Sequence, residues 1–89
     1  MRIKLELFGA SREFSDKDYL EFNINKKMSI KDFRKEIINY LDLSFKDNKN
    51  FKKIVETSAF CSEDNTIVSD NYKITKNQKI GIIPPIGGG

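Results

Sequence analysis

The chain begins and ends with strongly apolar, strand-like runs, and this constrains its fold more than any other feature. Residues 2–8 alternate, with Ile3, Leu5 and Leu7 on one side and Lys4, Glu6 and Phe8 on the other. Near the end, Lys79-Ile80-Gly81-Ile82-Ile83 forms a second apolar run that enters Pro84 directly. Period-two patterning reads as a strand with one buried face. Two such strands belong in the middle of a sheet. The expectation is that they lie side by side in parallel, with everything between them forming hairpins and a crossover.

The intervening sequence fits that plan. Gly9-Ala10-Ser11 breaks the first strand, and Ser11-Arg12-Glu13-Phe14 starts a short, helix-like connection. Residues 19–24 alternate again, with Leu20, Phe22 and Ile24 inward, and pair with the first strand as a hairpin. Ser29 opens a clear helix: it is a good N-cap, and the Asp32 carboxylate sits in the first turn, where the helix dipole favours it. Ile30, Phe33, Ile37, Tyr40 and Leu41 form an apolar stripe suited to packing on a sheet. Residues 43–53 are polar and poorly periodic, and read as a loop or irregular helix pinned by Phe45, Phe51 and Ile54. Residues 57–61 read as a strand, 66–68 as a short strand, and 70–78 as turns around Tyr72 and Ile74. The class is α+β. The order predicts a ubiquitin-like β-grasp: a mixed sheet of four to five strands crossed by one main helix, followed by a flexible C-terminal tail.

Composition excludes several chemistries. With 38% hydrophobic and 33% charged residues, the 89-residue chain has a soluble, globular balance. Residues 1–83 are expected to form one domain and 84–89 an extended Pro-Pro and Gly-rich tail. There is no histidine and one cysteine, Cys61. A thiolate or imidazole zinc site therefore has no ligand set, so no metal is expected. Serine and cysteine triads have no base. No intramolecular disulfide can form, which fits a reducing compartment. No apolar run spans a bilayer and no signal-peptide pattern opens the chain, so a cytoplasmic protein with no membrane partner is expected. The net charge of +3 is mild. The lysines of residues 46–53 have no aromatic stacking platform beside them and read as a solvated loop, so no nucleic-acid partner is expected. Cys61 reads as a small, half-buried strand residue. Arg12 and Glu13 fit a partner contact or a local ion pair equally well.

The last six residues are Pro84-Pro85-Ile86-Gly87-Gly88-Gly89. Two prolines fix φ and remove two backbone donors, so an arm leaving the last strand departs stiffly. Glycines without Cβ can pass through a channel too narrow for other residues. The pattern suits delivery of the terminal carboxylate of Gly89 into another protein's active site. The surface around the tail's root would touch that protein first. Phe8, Ile82, Ile83, Pro84, Pro85, Ile86 and Gly87 are therefore the expected partner-binding residues, with Gly88 in the narrow part of the tail and Gly89 as the reacting residue.

Two segments carry a family resemblance. Leu7-Phe8-Gly9-Ala10-Ser11-Arg12-Glu13 resembles the Leu-Phe-Ala-x-x-Arg-Glu segment of molybdopterin synthase small subunits, the MoaD-type sulfur carriers of the MoaD/ThiS family. Ile82-Ile83-Pro84-Pro85-Ile86-Gly87-Gly88-Gly89 resembles their Phe-Phe-Pro-Pro-Val-x-Gly-Gly ending. The chain departs from the pattern where Ile82 and Ile83 replace frequent aromatics, and Gly87 adds a third glycine.

The resemblance implies a sulfur carrier, not catalytic alone, that acts in molybdenum cofactor biosynthesis. An E1-like, MoeB-type enzyme would use ATP to adenylate Gly89, and sulfur transfer would then give a C-terminal thiocarboxylate. A MoaE-type large synthase subunit would receive the tail and pass the sulfur to a pterin precursor. The carrier itself would bind no cofactor. Its contribution is reach and positioning. The alternatives are a carrier for thiazole, thiolated tRNA or cysteine synthesis, a ubiquitin-like modifier joined to lysines, and a β-grasp binding module with an irrelevant tail.

Overall fold

The structure is a computed structural model that describes residues 1–46 and 49–86. The first and last strands do lie together. Strand β1 (Arg2–Leu7) pairs in parallel with β7 (Gln78–Ile83), with Leu5 opposite Ile80 and Leu7 opposite Ile82. On the outer side of β1, β2 (Tyr19–Asn23) runs antiparallel, with Leu5 opposite Leu20. On the other side of β7 follow β4 (Ala59–Cys61) and β5 (Ile67–Val68), both antiparallel to their neighbours. The sheet order is therefore β2-β1-β7-β4-β5. The apolar chain ends occupy its interior because their inward residues lose the most free energy if left in water.

Helix α1 (Ile30–Ser44) crosses one face of this sheet. Ser29 caps it, its hydroxyl accepting from the Asp32 N–H at 3.2 Å. Ile30, Phe33, Ile37 and Leu41 are buried against Ile3, Leu5, Ile80 and Ile82. Tyr40, expected on the same stripe, sits at its edge. It is partly exposed, and its ring meets Phe22 edge-on at 5.6 Å.

Two parts of the chain differ from the sequence reading. Residues 43–46 and 49–53, the described part of the segment 43–53, are mostly regular helix rather than a loop or irregular helix. They hold the end of α1 and the start of a second helix, α2 (Lys49–Thr57), where Phe51 and Val55 are buried one turn apart. The expected pins do hold this helix down: Phe51 packs on Phe14 at 4.9 Å and on Phe45 at 5.1 Å. Helix α2 also takes the start of the expected 57–61 strand, so β4 begins at Ala59. The turn-rich segment before β7 carries a small second sheet, in which β6 (Lys73–Ile74) pairs with β3 (Met28–Ser29) and buries Ile74. Two-residue strands are too short to show alternation, so this sheet left no periodic signal.

Arg34 ties α2 to the rest. Its Nη1 donates to the carbonyls of Val55 at 2.6 Å and Ser58 at 2.8 Å, and its Nη2 donates to Asp70 Oδ1 at 2.8 Å. The guanidinium lies 4.7 Å from the centre of the Phe60 ring. One charged group thus satisfies carbonyls at the end of a helix that carries no basic residue in its own last turn. Among the described residues, no helix is long and apolar enough to cross a membrane.

Candidate functional site

The face of the sheet opposite α1 is open, and alternation decides what it carries. Ile80 and Ile82 point to the core, so Lys79, Gly81 and Ile83 point outward from the same strand. Their cross-strand neighbours are Lys4, Glu6, Ala59 and Cys61, and beyond Cys61 lies Ile67. One end of this face is charged. Glu6 lies 3.7 Å from Lys79, and the Lys4 ammonium lies 4.6 Å from the centre of the Tyr19 ring. The other end is apolar. It combines Phe8, which is 45% exposed, Ile67, which is 60% exposed, and half-buried Ile83, around Gly81 and buried Cys61.

Phe8 is held there by its own backbone. A short 3-10 helix (Gly9–Phe14) follows β1. The Phe8 N–H donates to the Ser11 hydroxyl at 3.0 Å, and that hydroxyl donates to the Phe8 carbonyl at 2.6 Å. Ser11 is fully buried, so this pair of bonds fixes the turn from the inside. The Phe8 ring lies over Gly81, where a Cβ would stand 3.2 Å from its Cε2 and 2.6 Å from Cys61 Sγ. Gly81 is thus the gap in β7 that lets Phe8 and Cys61 close over the strand.

The tail leaves from the apolar end of this face. Pro84 is buried, with Cδ and Cγ 3.8 and 3.9 Å from where a Cβ would stand on Gly9. Gly9 has φ +55°, in the left-handed region that glycine occupies without penalty, so the turn after β1 and the exit from β7 close on each other. Pro85 is exposed, and Ile86 is 99% exposed.

The expected docking residues therefore separate. Phe8, Ile83, Pro85 and Ile86 present surface. Ile82 does not: it is wholly buried beneath α1 and belongs to the core, because it sits one residue out of phase with the open face. Pro84 is also buried and serves as the anchor of the exit rather than as contact surface. Gly87, Gly88 and Gly89 lie outside the described residues. Arg12 and Glu13 are exposed and form no ion pair with each other. Sequence reasoning missed Ser11, Gly81 and Gly9. Of these, Gly81 had a signal, since a glycine inside a strand pattern marks a close approach.

No protein-family model matches the chain. No curated protein matches it in sequence. Solved structures do match. SAMP1 from Haloferax volcanii is 10% identical, with a TM-score of 0.69 over 100% of both chains. A protein provisionally assigned as molybdopterin converting factor subunit 1, from Pyrococcus furiosus, is 14% identical, with a TM-score of 0.65 over 96% of this chain and 98% of its own. The fold is the ubiquitin-like β-grasp. At these identities the likeness concerns the backbone arrangement, and the roles of side chains must be argued from the site itself. Within the β-grasp, the apolar end of the open face and the Pro84 exit lie at the same end of the central strand β7.

Proposed function

We propose that this chain is a sulfur carrier that works by delivering its tail to other proteins. Gly89 would be adenylated by an E1-like enzyme at the expense of ATP, releasing pyrophosphate. Sulfide would then attack the acyl carbon, form the C–S bond and expel AMP, leaving a thiocarboxylate. A carboxylate is a poor acyl donor until one oxygen becomes a good leaving group, and adenylation makes it one. The acceptor we propose is a pterin precursor held by a large molybdopterin synthase subunit. The chain would contribute no acid or base, only reach, orientation and a docking face. ATP would be bound by the activating enzyme, not by the carrier.

The observation that carries this reading is the position of the Pro84-Pro85 pair. It extends the central strand directly, is anchored by Gly9, and points the tail away beside an exposed apolar patch. A partner that takes the tail can rest on that patch. The structural likeness to a molybdopterin converting factor subunit supports the molybdopterin assignment.

Intact-mass measurement tests the proposal. After incubation with a purified MoeB-type enzyme, ATP and a sulfur donor, the chain should gain the mass difference between sulfur and oxygen. A chain lacking Gly89 should gain nothing and melt at the same temperature. Sulfur gain in the chain lacking Gly89 would overturn the assignment of the reacting residue, and no gain in the intact chain would overturn the carrier reading. A second reading is that the tail serves as a protein modifier, since the same terminal glycine would serve both uses and SAMP1 shares the fold. In that case the activated tail would be joined to lysine amines, and the same incubation with a protein acceptor would give a ladder of conjugates.

A further inference from the structure

A groove of about 560 Å³ runs along the other flank of the tail's root. One wall is α2, which presents Asn50, Lys53, Ile54 and Thr57 at the i, i+3, i+4, i+7 spacing of a single helix face. The opposite wall is Pro84 and Pro85, and Ala10 of the 3-10 helix closes one end. Among the described residues the lining side chains are apolar apart from an amide, a hydroxyl and one ammonium, with no carboxylate. Lys53 is exposed and forms no ion pair among the described residues. Thr57 Oγ1 donates to the Lys53 backbone carbonyl at 2.9 Å, so its hydroxyl is turned back onto the helix.

We infer that this groove receives a segment of the protein that takes the tail: a large apolar side chain followed by a carboxylate that pairs with Lys53. The inference rests on the reading that the tail is delivered to another protein. Charge complementarity selects the chemistry, since the described lining offers an incoming chain a cation, Lys53, and no anion. The geometry selects the occupant. Pro84 and Pro85 line the groove and also form the root of the tail, so a protein that grips this root meets the groove wall. A small molecule would find an open cleft with few convergent polar groups. The occupant belongs to the activating enzyme in particular, because sulfur-carrier and modifier readings alike require one.

The test uses the full chain and a purified MoeB-type activating enzyme. A photo-crosslinking residue is placed at Thr57 in one protein and at Ile86 in another. Both should crosslink to the enzyme, and the peptide attached at position 57 should contain a large apolar residue next to Asp or Glu. Lys53→Glu should weaken binding by about tenfold while Lys53→Arg leaves it near the original value. Crosslinking at 86 without crosslinking at 57 overturns the groove inference and leaves the carrier reading intact. So does a position-57 peptide without a carboxylate, or unchanged affinity in Lys53→Glu. Failure at both positions overturns the delivery reading and the groove with it.

Discussion

On the covered face of the five-stranded sheet, Ile3, Leu5, Ile80 and Ile82 retain no exposed surface. On the open face of the same strands, Lys4, Glu6, Lys79 and Ile83 alternate with them and keep contact with water. The covered face carries the packing that holds the fold. The open face is divided between a charged end, which keeps it in solution, and an apolar end, which needs some other explanation than folding. Ile82 and Ile83 make the contrast sharpest. They are adjacent isoleucines of one strand, yet only Ile83 is open to solvent, and only it can be part of a docking surface without unfolding the domain.

The largest expected effect follows from that difference. Ile82→Ala should destabilise the domain by about 2–5 kcal/mol, because it removes a fully buried side chain and leaves a cavity under α1. Ile83→Ala should cost under half as much. Urea denaturation of the two variants checks this. Equal losses would mean that the open face is packed as heavily as the covered one and would end the distinction.

The division was legible in the sequence to the extent that alternation is legible. Ile3, Leu5 and Leu7 against Lys4, Glu6 and Phe8 predict both faces of β1, and the parallel pairing of β1 with β7 follows from their shared apolar character. Ser29 and Asp32 announced the helix start. The run 79–83 was harder, because an apolar residue stands at each of three positions and glycine hides the phase. With only Lys79, at the far end of the run, to mark the outer side, Ile82 and Ile83 look alike. Helix α2 escaped notice because its apolar positions, Phe51, Ile54 and Val55, span little more than one turn amid lysines and asparagine. Arg34 was legible only as a polar residue on the outer face of α1. Its partners lie 21, 24 and 36 residues away, and local pattern says nothing of such distances.

Gly81 offers a middle-sized test, on the boundary between packing and surface. A Cβ there would stand 2.6 Å from Cys61 Sγ and 3.2 Å from Phe8 Cε2. Gly81→Ala should therefore destabilise the domain by about 1–3 kcal/mol, the usual range for overpacking. Adding Cys61→Ala removes the nearer obstacle and should recover most of the loss, which a double-mutant cycle in thermal denaturation would detect. Full stability in Gly81→Ala alone would show that Cys61 and Phe8 swing aside freely, and that the apolar end of the open face is looser than its geometry suggests.

The smallest effect on stability, and the most telling for function, is expected at Phe8. Its backbone is fixed by Ser11, while its ring is 45% exposed and packs over Gly81. A half-exposed ring adds less to folding than a buried one, so Phe8→Ala should cost below about 1.5 kcal/mol of stability. Binding should respond more. If the apolar end of the open face is where a protein rests while it takes the tail, Phe8 is an aromatic anchor near the centre of that contact, and truncating such anchors costs at least about 1 kcal/mol of affinity. Calorimetry of folded Phe8→Ala with the activating enzyme and with the large synthase subunit should show at least about fivefold weaker binding to one of them. Ser11→Ala gives an independent handle, because it leaves the ring in place and loosens its backbone support. It should weaken binding less than Phe8→Ala and stability more. Unchanged affinity for both proteins in Phe8→Ala would remove the ring from the docking surface, and loss of the fold would assign it to the covered face's side of the comparison.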